Sequence, residues 1–87
     1  MPMLNLRCYG ELNDYLPAGN RHRLFTLFCD DRMQVIDVIE NLRIPPQEVV
    51  LVLVNDQPVD TGYQPVHCDR ISLFPLFRSI LSPVTGT

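Results

Sequence analysis

The chain contains no lysine and no tryptophan, and all seven of its basic residues are arginine. The missing lysine excludes a lysine Schiff base and lysine-linked chains. Cysteine is scarce. Cys8, Cys29 and Cys68 are odd in number and lack any Cys-x-x-Cys spacing. That excludes a disulfide framework and supplies no recognisable zinc-ligand pattern, so free thiols in a reducing compartment are expected. Long apolar runs are missing as well. The longest, Val49 to Val54, has six residues, against about 20 for a membrane span. The opening stretch, Met1 to Arg7, lacks the basic start and apolar core of a signal peptide. A cytoplasmic location with no membrane partner is the expectation. Positive charge is not in excess: the formal net charge is −3. A domain that grips nucleic-acid phosphates shows the opposite balance, so no direct nucleic-acid binding is expected.

What is present suits one small globular domain. The 87 residues are 46% hydrophobic and 20% charged, a composition that supports a modest core rather than disorder. Leu4, Leu6 and Cys8 alternate with Asn5, Arg7 and Tyr9, which predicts a strand over 3–9. Residues 10–20 are rich in turn formers. Residues 22–29 are apolar and aromatic enough for a second strand, antiparallel to the first across a long loop. Its register is open, because Leu24, Phe25, Leu27 and Phe28 fall on both faces.

The period then changes. Val35, Val38, Ile39 and Leu42 stand at i, i+3, i+4 and i+7, one stripe of a helix over 34–42. Asp30 and Asp31 precede it, where negative charge suits a helix N-terminus, and Pro45-Pro46 stop it. The run 49–54 lacks alternation and predicts a central strand covered on both faces. Asn55-Asp56 signals a turn. Residues 60–69 read as irregular, and Arg70 to Phe74 as a last strand with Ile71 and Leu73 on one face. The fold class is therefore α+β, a β-grasp (ubiquitin-like) mixed sheet with one principal helix across one face. The domain covers residues 1–77, with 78–87 as a linker or tail.

The segments "YGELNDYLP" (9–17), "VIDVIENLRIPPQEVVLVLVND" (35–56), "DRISLFPLF" (69–77) and "SPVT" (82–85) resemble the MoaD/ThiS-type ubiquitin-like superfamily. Within it, they are most similar to the ubiquitin-like domain that precedes Mut-seven-C ribonuclease domains. In that family the part resembling Phe77 to Thr85 joins a PIN-like, RNA-cutting domain with a zinc ribbon. This chain stops at that join, as a stand-alone relative or a truncated copy. The resemblance implies glycine where Arg43, Asp56 and Cys68 stand here, and the three losses predict locally altered turns.

The superfamily's sulfur carriers end in Gly-Gly, whose carboxylate is adenylated and converted to a thiocarboxylate. The sequence here ends Thr85-Gly86-Thr87. A β-branched last residue suits that chemistry poorly, so the carrier reading is the alternative and not the expectation.

The remaining candidates are weak. In His67-Cys68-Asp69 a thiol, an imidazole and a carboxylate are neighbours, but catalysis needs convergence and adjacent side chains point apart. Arg21-His22-Arg23 reads as a solvated loop. Glu11, Asp14, Asp37 and Glu40 read as solubilising or capping residues. No catalytic residue, metal or cofactor is expected. Leu76, Phe77, Ile80 and Leu81 continue apolar beyond the last strand and, with Arg78, are the candidate partner-binding residues. They either cap the fold's open end or form an exposed patch. The expected function is a non-enzymatic protein–protein interaction or regulatory module. By resemblance its partner is a Mut-seven-C-type ribonuclease. Candidate contact surfaces are the sheet face opposite the helix, the 76–81 segment and an exposed strand edge, which also permits a homo-oligomer.

Overall fold

A computed structural model describes residues 2–76. The strands are β1 (Met3–Cys8), β2 (Phe25–Phe28), β3 (Leu51–Val54), β4 (Gln57–Val59) and β5 (Arg70–Phe74), and the helix is α1 (Val35–Asn41). Short 3₁₀ turns occupy Gly10–Tyr15, Ala18–Asn20 and Pro46–Glu48. The five strands form one sheet in the order β2-β1-β5-β3-β4. β1 pairs antiparallel with β2 and parallel with β5, and β3 pairs antiparallel with both β5 and β4. This is the β-grasp arrangement: a mixed sheet with one main helix.

Alternation settles the β2 register that the sequence left open. Phe25 and Leu27 pair with Leu6 and Leu4 and pack against the core, whereas Phe28 pairs with Met3 and is exposed. The helical stripe is as predicted, with Val35, Val38 and Ile39 fully buried and Leu42 packed against them. Leu4, Leu6, Ile71 and Leu73, at the sheet's centre, are equally buried. Each such side chain contributes roughly 1.5–3 kcal/mol of burial.

Two expectations about strands are corrected. The run 49–54 does not become a central strand covered on both faces. β3 stands second from one edge and alternates: Val52 and Val54 are buried, while Leu51 is 42% exposed. The centre belongs to β5, which fits between β1 and β3. Gln57-Pro58-Val59, to which the sequence assigned no strand, forms β4 beyond the Asn55-Asp56 turn.

The altered turns are also corrected. Arg43 (φ 62°), Asp56 (φ 71°) and Cys68 (φ 73°) keep the left-handed backbone that glycine would supply. At Arg43, the Ile44 N–H reaches the Ile39 carbonyl (3.2 Å) and the Arg43 N–H reaches Glu40 (2.9 Å), the Schellman closure of a helix. Asn55 (φ 51°) and Asp56 make the two-residue type I′ turn between β3 and β4. The turns survive because their hydrogen bonds are backbone groups, independent of the side chain; the strain is about 1–2 kcal/mol per non-glycine position.

Long-range bonds complete the helix. The orphan N–H groups of Val35 and Ile36 donate to the carbonyls of Tyr63 (2.8 Å) and Thr61 (2.9 Å). Asp37 Oδ2 accepts from the Gln34 N–H at 2.9 Å. Capping thus falls to Asp37, which the sequence offered as a solubilising or capping residue, and to the 61–63 loop, and not to Asp30 and Asp31, which the sequence set before the helix. The 10–23 loop is organised by buried Asn13, whose Nδ2 donates to the carbonyls of Cys8 and Gly10 (both 3.0 Å) and whose Oδ1 accepts the His22 N–H (2.7 Å).

Candidate functional site

The strand period that sends Leu6, Cys8, Ile71 and Leu73 inward sends their neighbours to the sheet face away from the core. The register then aligns these outward residues into rows. Asn5 lies beside Arg70; Arg7 beside Ser72, which faces Leu53; and Phe74 faces Leu51. Tyr9 closes the last row: its N–H donates to the Leu73 carbonyl at 3.0 Å, which brings its ring onto Phe74. The two rings stack with centroids 4.3 Å apart and planes 9° from parallel. The Arg7 guanidinium carbon stands 5.4 Å from the Tyr9 ring centroid, in cation–π range.

The rows grade in polarity. The Asn5–Arg70 end is polar and carries the Arg70–Asp56 ion pair (2.6 Å). That pair is exposed and contributes little to stability. The opposite end is apolar: Tyr9, Phe74 and Leu51 are joined by Val50, which is 57% exposed and whose N–H binds the Phe74 carbonyl at 2.9 Å. Leu76 continues from Phe74 and is 45% exposed. A stacked aromatic pair with aliphatic neighbours and an arginine at its border is the composition that concentrates binding energy in protein interfaces.

Of the candidate partner-binding residues, Leu76 lies exposed at the margin of this patch. Phe77, Arg78, Ile80 and Leu81 lie outside the described residues, as does the proposed 78–87 tail. Tyr9, Leu51, Leu53 and Phe74 were not singled out by the sequence. The signal was there in part, since Tyr9 and Phe74 have outward parity on their strands, but their meeting depends on a parallel register between segments 65 residues apart.

The other sequence candidates separate. His67 Nδ1 accepts the Met3 N–H at 3.0 Å, Cys68 is exposed on its left-handed turn, and Asp69 is buried beneath. They do not converge. Arg21 Nε donates to the Leu16 carbonyl (2.8 Å) and Arg23 Nη1 to Gly19 (3.2 Å), so both brace their own loop. Burial pushes the Cys8 thiol up to about 11. Burial, then the charges of Asp30 and Asp31, raises Cys29 as well. Neither is a ready thiolate nucleophile. Among the described residues, no three His, Cys, Asp or Glu side chains gather where they could hold a metal ion, and no helix is long and apolar enough to cross a membrane.

The mixed sheet, its strand order and the one main helix across it define a ubiquitin-like β-grasp protein. Solved structures share this fold. Small archaeal modifier protein 1 of Haloferax volcanii superposes with a TM-score of 0.65 at 20% identity, over 86% of this chain and 98% of that one. A putative molybdopterin converting factor subunit 1 of Pyrococcus furiosus gives 0.65 at 16% identity, over 86% and 98%. The Haloferax volcanii HVO 2177 protein gives 0.60 at 23% identity, over 99% and 87%. The family model described as Mut7-C ubiquitin matches residues 1–81, and the chain belongs to that family. No curated protein matches it.

Proposed function

We propose that this domain is a non-catalytic recognition module that docks a protein partner on the sheet face carrying Tyr9, Leu51, Leu53 and Phe74. The carrying observation is the exposed apolar end of that face, where the stacked Tyr9–Phe74 pair adjoins Leu51. Membership of the Mut7-C ubiquitin family supports a Mut7-C-type, PIN-like ribonuclease in the same cytoplasm as the partner, positioned or restrained by this domain. Leu76 and the segment after it extend the contact. The test is calorimetric titration of the chain into such a nuclease, with RNA cleavage followed in parallel. Binding that is lost in Leu51→Glu supports the reading. Neither binding nor altered cleavage removes it.

A carrier reading draws on the names of the structural neighbours, a molybdopterin converting factor subunit and a small modifier, at identities that establish only a shared fold. Incubation with an adenylating enzyme, ATP and a sulfur donor, followed by intact mass measurement, separates the two. An adenylate or an oxygen-to-sulfur exchange at the C-terminal carboxylate favours the carrier; an unchanged mass favours the docking module.

A further inference from the structure

A second surface lies away from the outer face. A cleft of about 460 Å³ opens between the 14–21 loop, β2 and the C-terminal end of α1. Phe25, Thr26 and Leu27 all line it. Consecutive strand residues point to opposite faces, so it is the edge of β2, and not one face of it, that borders the cleft.

That edge has hydrogen bonds to offer. Asn5 and Tyr9 turn their N–H groups toward β5, donating to the Asp69 (2.9 Å) and Leu73 (3.0 Å) carbonyls. Leu4 and Leu6 therefore face β2 and bond with their partners Leu27 and Phe25. The Cys29 N–H, donating to the Pro2 carbonyl at 3.0 Å, keeps the same phase. Thr26 and Phe28 are left with their N–H and C=O groups directed outward, on a strand that ends the sheet among the described residues. The opposite edge is different. In β4 the outward position falls to Pro58, across from Leu53, and proline has no N–H to donate.

Charge selects what could pair there. Arg21 is fixed at the cleft wall by its bonds to the Leu16 (2.8 Å) and Asp14 (3.4 Å) carbonyls, and among the described residues no carboxylate pairs with its guanidinium. Arg43, at the helix end, is exposed and has no ion pair among the described residues. Among the described residues, Asp14 is the only acidic one in the lining. This corner is thus locally positive on a chain whose net charge is −3, and its floor, with Tyr15, Phe25, Leu27 and Leu42, is apolar.

We infer that the open edge of β2 and its cleft receive an extended acidic peptide segment of a protein partner. The segment adds as a sixth strand, buries an apolar side chain in the cleft and sets carboxylates against Arg43 and Arg21. The site is independent of the outer-face reading and shares no residue with it.

The test is a nuclear magnetic resonance titration of the isotope-labelled chain with the synthetic peptide acetyl-Thr-Val-Thr-Val-Thr-Glu-Glu-amide, and with a matched peptide ending Lys-Lys. Saturable shifts confined to residues 25–28 and 41–43, for the Glu-Glu peptide alone, are expected. Thr26→Pro, which removes an outward N–H that β1 does not use, and Arg43→Glu, on the exposed helix end, each weaken binding by about tenfold or more. Leu51→Glu, on the other face, leaves binding unchanged. The proposal is overturned by no saturable shift at millimolar peptide, by equal binding of the Lys-Lys peptide, by shifts confined to the outer face, or by a dimer in sedimentation that Thr26→Pro dissociates, which would assign the edge to a second copy of the chain.

Discussion

Tyr63 donates its hydroxyl to Asp69 Oδ2 at 2.9 Å, and the same oxygen accepts the Val66 N–H at 2.9 Å. The other oxygen, Oδ1, accepts Asn55 Nδ2 at 2.9 Å, while Asn55 Oδ1 accepts the Arg70 N–H at 2.9 Å. One carboxylate, 4% exposed, therefore joins the β3–β4 turn, the 60–69 loop and the start of β5. Because the Tyr63 carbonyl also caps Val35, the network fixes the helix relative to the sheet.

Removing that carboxylate leaves three donors without an acceptor. Asp69→Ala is expected to lower unfolding free energy by about 3 kcal/mol, and Tyr63→Phe, which deletes one donor, by about 1 kcal/mol. Urea unfolding followed by circular dichroism measures both. Equal losses for the two variants would show that Tyr63 alone carries the joint.

Glycine at the strained turns should stabilise the fold. Arg43→Gly relieves a left-handed arginine (φ 62°) whose Schellman bonds are all backbone. Relief of about 1–2 kcal/mol is offset in part by the greater freedom of glycine in the unfolded chain, about 0.4–1 kcal/mol. A net gain of about 0.5–1 kcal/mol is expected, visible as a higher urea midpoint with unchanged slope. Asp56→Gly should gain similarly, since the ion pair it gives up is exposed. Loss of stability in both would mean that the left-handed backbone costs these side chains nothing.

The fold was legible where one residue's surroundings repeat along the chain. Leu4, Leu6 and Cys8 declared β1 by parity, and Val35, Val38, Ile39 and Leu42 declared the helix by its stripe. The β3 run misled because hydrophobicity reports a tendency and not a neighbour: Leu51 is as apolar as Val52, yet 42% of it meets solvent. The docking face was hidden for a different reason. Tyr9 and Phe74 meet only through the parallel β1–β5 register, and no local pattern encodes a pairing between two chain ends. Asp69 and Asn13 were opaque likewise, since each looks like an ordinary loop polar residue until its partners are assembled.

Alkali should weaken the fold. The Cys8 thiol is raised by burial from 9.0 to about 11, and Tyr63 is raised above 10.0, chiefly by its hydrogen bond to Asp69. Both groups hold their protons longer folded than unfolded. Their contribution is complete below the unfolded values and is lost as pH climbs from about 9 through 11. Urea midpoints should therefore fall between pH 8.5 and pH 11, a window set by the Cys8 shift, and Tyr63→Phe should flatten the upper part of the decline. A midpoint independent of pH over that range would contradict the burial of Cys8.

The thiols should also sort by exposure. Cys68 is exposed, whereas Cys8 and Cys29 are buried. Brief iodoacetamide treatment of the folded chain at pH 8 should add a single carbamidomethyl group, mapped to Cys68 by peptide mass. The other two should react only in denaturant, because their opening requires parting β1 from the helix or from β2. Rapid labelling of Cys29 in the native chain would show that the β1–β2 edge opens locally, which would weaken the case for β2 as a firm template strand.

Docking on the outer face makes the last prediction. Leu51 is 42% exposed and lies beside Phe74 at the sheet's apolar end, so Leu51→Glu should change stability by no more than about 0.5 kcal/mol. Placed within an interface, the same carboxylate would be desolvated without a partner, and binding to a Mut7-C-type nuclease should weaken by about 2 kcal/mol or more, roughly thirtyfold. Tyr9→Ala should weaken it comparably by removing one ring of the stack, whereas Arg70→Ala, at the polar end, should leave affinity within about threefold. Calorimetric titration of the parent chain and the three variants orders them. If Arg70→Ala proves as damaging as Leu51→Glu, the contact is centred on the polar rows, and the stacked Tyr9–Phe74 pair serves the sheet and not the partner.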